Sequence, residues 1–280
     1  MTDKKPPGTG EHLCFVCYAD DRHGHKGGRF AANQEHLCKT AESVGITDIR
    51  RWNWQKLQAT DFFRQNSDLL AKNRFENGAA WKPFVVLDAV TSIPPGGFVI
   101  YYDCGPYEFR TPISKLITAC RKNGGFFFHH WGDTNAKWSR RDAFVLMNAD
   151  VPEIHNAVHV QNTWFIVQNV PEVVKFLQEW LHFNVDERIA TYVKPNVCGL
   201  PDLEGFIENR GDQTIASILL AKRKILTFRG WGGYINRDIN AFIESIGLLS
   251  RVRFRIKSFA IRIFKKTRQI VGPERLNPDD

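Results

Sequence analysis

The chain has 280 residues, 43% of them apolar and 12% aromatic, enough to bury one large core. Its net charge of +8 is carried by one C-terminal stretch: Arg251, Arg253, Arg255, Lys257, Arg262, Lys265, Lys266 and Arg268, with no acidic residue among them. The rest of the chain is neutral overall, which argues against nucleic-acid binding, since that needs a basic patch on the folded domain.

The first eleven residues are polar and contain Pro and Gly, with no apolar stretch of the kind a signal peptide carries. They are expected to be disordered. The run Leu13-Cys14-Phe15-Val16-Cys17-Tyr18 reads as a strand. It contains a C-x-x-C, but residues three apart on a strand face opposite sides, so a metal or redox pair is not expected. Six cysteines in a chain of this length do not make a disulfide scaffold, and a reducing cytoplasm is the expected compartment. A polar loop follows at 19–28, rich in Gly but without dinucleotide or P-loop spacing.

Helical spacing over 30–44 with Gly45 as a C-terminal cap, then a strand at 46–52, completes a β-loop-α-β opening of the kind that starts a doubly wound sheet. Thr60 and Asp61 signal another helix start. A helix is expected over 81–93, with Pro83 in its first turn. After the Pro94-Pro95-Gly96-Gly97 turn comes an apolar strand ending at Asp103. Further on, the spacing predicts a helix at 111–120, a buried strand at 125–130, a helix at 140–147 and a strand at 158–167. An amphipathic helix starts at Pro171 and is followed by an irregular loop at 195–204. A helix opens at Asp212, and a last strand falls at 225–228. No run approaches the roughly 18 apolar residues a spanning helix needs. The histidines at 23, 25, 129 and 130 lack a third ligand at zinc spacing.

In an open α/β sheet, ligands bind outside the carboxyl ends of the strands. That rule nominates Tyr18, Ala19 and Asp20 at the end of the first strand for a nucleoside. It nominates Asp103, with Gly105 beside it, for a cation or a ribose hydroxyl. Gly105 lets backbone or ligand approach closely.

Four segments in order carry a resemblance: Trp81-Lys82-Pro83, Asp103-Cys104-Gly105, Trp138-Ser139-Arg140-Arg141-Asp142 and Arg210-Gly211-Asp212-Gln213. The chain resembles a family of bacterial and viral glycosyltransferases with a GT-A-type fold, over roughly residues 12 to 229. That family's patterns read Trp-Lys-Pro, Asp-x-Gly, Trp-Thr-Lys-Arg-Asp and Arg-His-Asp-Gln-Ser. Two departures stand out: Gly96-Gly97 replaces a Gly-Asp before the strand, and Gly211 replaces the histidine. A second Asp, common two positions after the first in GT-A enzymes, is Gly105 here.

The resemblance implies a mostly parallel α/β sheet flanked by helices, placed over residues 12–247; the charge pattern itself marks 248–280 as a basic amphipathic tail. It implies transfer of a sugar from a nucleotide-sugar donor to a surface glycan or lipid-linked acceptor. The donor side would use Tyr18, Ala19, Asp20, Trp81, Lys82, Asp103, Gly105 and Arg140, with Mg²⁺ or Mn²⁺ at Asp103, or basic residues replacing part of the cation's role. Asp212 and Gln213 resemble the Asp-Gln pair beside the sugar, although Asp212 at a helix start also reads as an N-cap. The alternative is a non-catalytic sugar-nucleotide-binding or scaffold protein at the membrane. The tail interleaves its eight cations with apolar residues, a pattern for peripheral docking on an anionic, cytoplasmic membrane face.

Overall fold

The computed structural model describes residues 11–20, 22, 29–105, 112–192 and 194–230. The N-terminal segment to residue 10, most of the glycine-rich loop, the basic C-terminal stretch and the expected boundary at 247/248 lie outside the described residues.

Six strands are described: β1 (Leu13–Ala19), β2 (Asp48–Asn53), β3 (Phe98–Asp103), β4 (Phe126–Thr134), β5 (Val158–Gln168) and β6 (Phe228–Arg229). They form one sheet in the order β2-β1-β3-β5-β4-β6. β1 pairs in parallel with β2 and β3, and β4 in parallel with β6. β5 runs antiparallel to both its neighbours. The protein is therefore α/β with a mostly parallel sheet, as expected; the reversed β5 was not anticipated, because alternation of apolar residues carries no direction.

Strand alternation sends side chains to two cores. Cys14, Val16 and Tyr18 of β1 share one core with Val99 and Tyr101 of β3 and with Phe128 and Phe165. Three helices cover that face: Trp81–Ser92, Pro171–Asn184 and Asp212–Lys222. Phe15, Cys17, Ile100, Tyr102 and Ile166 are buried on the other face. There the helices Phe30–Ser43 and Ile113–Lys122 pack: Cys17 Sγ lies 3.9 Å from Cys38 Sγ, and the Cys120 thiol donates to the Ile166 carbonyl at 3.5 Å. Cys14 and Cys17 thus belong to different cores, and burial pushes the Cys14 thiol up to about 12.

Several boundaries follow local chemistry. Gly45 takes φ +88° after the first helix. Thr60 accepts from the Phe63 amide at the start of Asp61–Gln65. The short helices Trp54–Gln58 and Arg74–Asn77, absent from the sequence expectations, are opened by Asn53 and Asn73, whose side chains accept the first free amides. β4 extends beyond the expected strand, with breaks in register against β5. The last strand is shorter than expected and shifted to Phe228–Arg229. Among the described residues, no helix is long and apolar enough to cross a membrane.

Candidate functional site

Parallel pairing of β1 with β3 brings Tyr18 level with Asp103 at the carboxyl edge of the sheet. The sheet's neighbours change sides at this pair, where an open α/β sheet leaves a crevice. A cavity of about 820 Å³ lies there. Tyr18, Asp20, Trp81, Lys82, Asp103, Gly105, Asp212 and Gln213 all line it.

On the β1 side, the Tyr18 and Trp81 rings stack with centroids 4.1 Å apart. One face of Tyr18 is therefore already covered by protein. The Tyr18 hydroxyl donates to Asp20 Oδ2 at 3.1 Å, and Arg22 pairs with the same carboxylate at 2.7 Å. Burial and the neighbouring Asp20 charge hold the Tyr18 phenol well above its ordinary value, so it stays protonated.

The centre of the site is Lys82. It is only 3% exposed, and its ammonium donates to Asp212 Oδ2 at 2.8 Å, Asp103 Oδ1 at 3.2 Å and the Asn162 carbonyl at 3.1 Å. An ammonium has three donors, and all three are placed. Lys82 was expected to meet donor phosphate; in the structure its charge is balanced by two carboxylates. Burial works against the charged form, but Asp103 and Asp212 outweigh it and hold the pKa above its ordinary value.

The two carboxylates differ. Asp212 is 3% exposed, and burial pushes its carboxyl up against the pull of Lys82. Asn162 Nδ2 also donates to Asp212, at 3.1 Å to the carbonyl and 3.4 Å to Oδ2. Asp103 has a side chain 34% exposed, with the Tyr101 hydroxyl donating to Oδ1 at 2.7 Å. Of the two, Asp103 is the more open to the cavity.

Asp212 does not serve as the N-cap of its helix. The cap is Gly211, and the Asp212 carboxylate turns to Lys82 instead. Gly211 has φ +51°, and a Cβ there would lie 2.6 Å from Tyr192 Cε1 and 2.9 Å from the Ala190 carbonyl oxygen. Gly78 is as tightly packed against Ala190, and its carbonyl accepts from the Asp212 amide at 3.2 Å. Two glycine backbones crossing without side chains set the start of the Asp212 helix beside Lys82. A glycine at 211 is thus required by this local packing.

Two expected residues are placed elsewhere. Ala19 is buried in β1 and does not line the cavity. Arg140 is also outside the lining and 3% exposed. Its guanidinium pairs with Asp142 at 3.2 Å and donates to Asn196 Oδ1 at 3.2 Å and the Thr191 carbonyl at 3.4 Å. It holds a loop rather than facing the cavity, because Asp142 and the distant Asn196 and Thr191 groups take up its donors.

The cavity also has walls that strand-end reasoning missed: Trp131 and Asp133 of β4, His159, Gln161 and Thr163 of β5, and Arg210. The antiparallel β5 brings its amino-terminal half to the same edge. Arg210 lay in a quoted motif but was given no role. Its guanidinium stacks over the Trp138 ring at 4.5 Å and pairs with Glu208 at 2.7 Å.

A divalent ion caged by protein alone does not fit this site. Among the described residues no group of three or more His, Cys, Asp or Glu is placed to hold one. Asp103 Oδ1 already accepts two hydrogen bonds, and the Asp212 carboxylate is turned into the buried cluster. The donor set suits instead an ion that arrives with a diphosphate: Asp103 would be its one carboxylate ligand, and water or phosphate oxygens would supply the rest.

No protein-family model matches the chain, and no curated protein does. Among solved structures, the chain is similar to a 4-diphosphocytidyl-2C-methyl-D-erythritol synthase from Anaerococcus prevotii, with a TM-score of 0.41 and 14% identity over 84% of this chain and 97% of that one. It is also similar to mouse xyloside xylosyltransferase 1, with a TM-score of 0.41 and 9% identity over 78% of this chain and 84% of that one. Both likenesses are too distant to say anything of this chain's chemistry.

Proposed function

We infer that the protein is a GT-A-type glycosyltransferase that moves a sugar from a nucleotide-sugar donor to a glycan or lipid-linked acceptor. One observation carries this reading. Residues from three distant motifs, Trp81-Lys82, Asp103-x-Gly105 and Asp212-Gln213, meet with Tyr18 and Asp20 in a single cavity at the strand ends. Tyr18 and Asp20 would hold the nucleoside. Asp103 would take the ribose or the ion that accompanies the diphosphate. Asp212 and Gln213 would stand beside the transferred sugar.

Charge balance favours a divalent ion with the donor. Lys82 is neutralised by Asp103 and Asp212, Arg22 is paired with Asp20, Arg210 with Glu208 and Lys72 with Glu187. Each of these cavity cations already has an anionic partner. Bound Mg²⁺ or Mn²⁺ would supply the positive charge that neutralises the leaving diphosphate.

Calorimetric titration with nucleoside diphosphates, with and without Mn²⁺, tests the assignment. Asp103→Asn should weaken binding about tenfold, as a charged contact is lost. Asp212→Asn should keep nucleotide affinity and lose turnover. Equal affinity of Asp103→Asn and the unaltered protein would count against the site.

The basic stretch over 251–268 is the proposed contact with an anionic membrane on the cytoplasmic side, worth about 1 kcal/mol for each engaged cation. Truncation after Ser250 should end co-sedimentation with phosphatidylserine vesicles at low salt and leave nucleotide affinity unchanged. Undiminished sedimentation removes the tail from that role.

A further inference from the structure

The β4–β5 wall of the cavity contains a buried hydrogen-bond acceptor that no group among the described residues satisfies. His159 lines the cavity yet is only 1% exposed. Its Nδ1 lies 3.2 Å from Asn135 Oδ1. Asn135 is oriented from its other side, where Nδ2 donates to the Ile154 carbonyl at 3.0 Å. A carbonyl only accepts, so the asparagine nitrogen faces Ile154 and its oxygen faces His159. His159 Nδ1 must then carry the proton, and Nε2 is left with a lone pair. Among the described residues Nε2 has no partner.

The ring stays neutral. Burial, and after it the charge of Arg210, lower its pKa to about 3, with Asp133 pulling weakly the other way. A neutral acceptor of this kind takes a hydroxyl or an amide hydrogen. It does not take ionised phosphate or carboxylate oxygens, which are acceptors themselves. Buried acceptors in native proteins are rarely left unpaired. The missing donor is therefore sought in what fills the cavity.

The surroundings narrow the class. Gln161 and Thr163, at alternate positions along the same strand, line the cavity with an amide and a hydroxyl. Trp131, 49% exposed, and Trp138 add aromatic surface to the wall. Short polar groups beside aromatic rings match a neutral polyol, with hydroxyls on its rim and C–H groups on its faces.

We propose that His159 Nε2 accepts a hydrogen bond from a hydroxyl of a neutral sugar ring bound at the β4–β5 side of the cavity. His159 is then a specificity-determining residue for hydroxyl position on that sugar. That the sugar is the acceptor rests on the transferase reading; the subsite itself does not.

The test uses the full chain, His159→Phe and His159→Gln, each checked by thermal melting. The probes are methyl glycosides of common hexoses, 6-deoxyhexoses, pentoses and N-acetylhexosamines, followed by saturation-transfer NMR. At least one should bind. His159→Phe should weaken it about tenfold, and His159→Gln, which keeps an acceptor, should lose less. Nitrogen-15 spectra of labelled histidine, with the His159 signals found by their loss in His159→Phe, should show the Nδ1-protonated tautomer unchanged from about pH 5 to 8. They should also show Nε2 shifting on glycoside addition.

Three results overturn the proposal: a protonated Nε2, unchanged glycoside affinity in His159→Phe, or no glycoside bound by the unaltered protein. If His159→Phe leaves glycoside affinity unchanged, only water serves Nε2. A nucleoside diphosphate titration is read separately. Failure of nucleotide binding with glycoside binding kept breaks the transferase reading and leaves the subsite standing.

Discussion

Two buried ion pairs, both built on residues of the quoted motifs, behave differently. Lys82 and Asp212 have side chains 4% and 5% exposed, and Arg140 and Asp142 have side chains 3% and 0% exposed. The Arg140–Asp142 pair is closed. The Asp142 carboxylate also accepts from the Val197 amide at 2.9 Å and the Cys198 amide at 2.8 Å, which fastens that loop to the Arg141–Leu146 helix. The Lys82 cluster is open on one side. Its third member, Asp103, is partly exposed to the cavity. A motif residue's charge thus says little about its task. What decides it is whether the partners use up every donor and acceptor or leave one facing a ligand.

The largest expected effect breaks the closed pair. Asp142→Ala leaves the Arg140 guanidinium buried without an anion, and the two loop amides lose their acceptor. Arginine cannot shed its proton to escape. Unfolding in denaturant should show a loss of about 3–5 kcal/mol, little changed between about pH 5 and 8. A loss below about 1 kcal/mol would mean that water replaces the carboxylate and that the pair is not a clamp.

Gly211→Ala should come next. The new Cβ meets Tyr192 and the Ala190 carbonyl, and φ +51° is strained for an L residue. A loss of about 2–3 kcal/mol is expected in the same measurement. The Asp212 helix start would also move relative to Lys82, so nucleotide affinity measured by calorimetry should fall less than turnover. An undisturbed variant would show that the glycine crossing does not set the site.

Much of the frame was legible. The apolar run to Asp103 and the Pro171 start were readable because strand alternation, helical spacing and proline geometry are local properties. The meeting of Tyr18 and Asp103 followed from the strand-end rule, which needs only the strand assignments; Asp212, at a helix start, was brought in by the motif resemblance and not by that rule. The burial of Lys82 was not legible. A lysine beside a tryptophan at a helix start looks the same in sequence whether it meets solvent, phosphate or two carboxylates from distant segments. Arg140 was misplaced for the same reason: its partners Asn196 and Thr191 lie more than fifty residues on. His159 drew no attention because its meaning depends on Asn135 and on the reversed direction of β5. The glycine at 211 did carry a signal. A glycine standing where the resembled motif has a bulky side chain marks a backbone crossing, but only the neighbours reveal which one.

The smallest effect sharpens the contrast between the two pairs. Lys82→Met removes the cation of the open cluster and leaves Asp103 and Asp212 facing each other. Unlike arginine, a carboxylate can neutralise itself by taking up a proton. Asp212 is already held above its ordinary value of 3.8 by burial, with Lys82 as the opposing pull. Without Lys82 its folded-state pKa rises further. A group whose pKa is raised on folding contributes stability that is fully present below its unfolded value and lost as pH rises through the folded value. The variant should therefore be nearly as stable as the unaltered protein at about pH 4 and weaker by about 1–2 kcal/mol at about pH 7, the deficit growing with pH. In the unaltered protein the raised Lys82 pKa works in the same direction at the other end of the scale. Its contribution is intact below the ordinary lysine value of 10.5 and fades only as pH rises through the higher folded-state value. Denaturant unfolding at several pH values reads both slopes. A deficit for Lys82→Met that does not change with pH would place Asp212 outside the titration and make the open cluster another closed clamp like Arg140–Asp142.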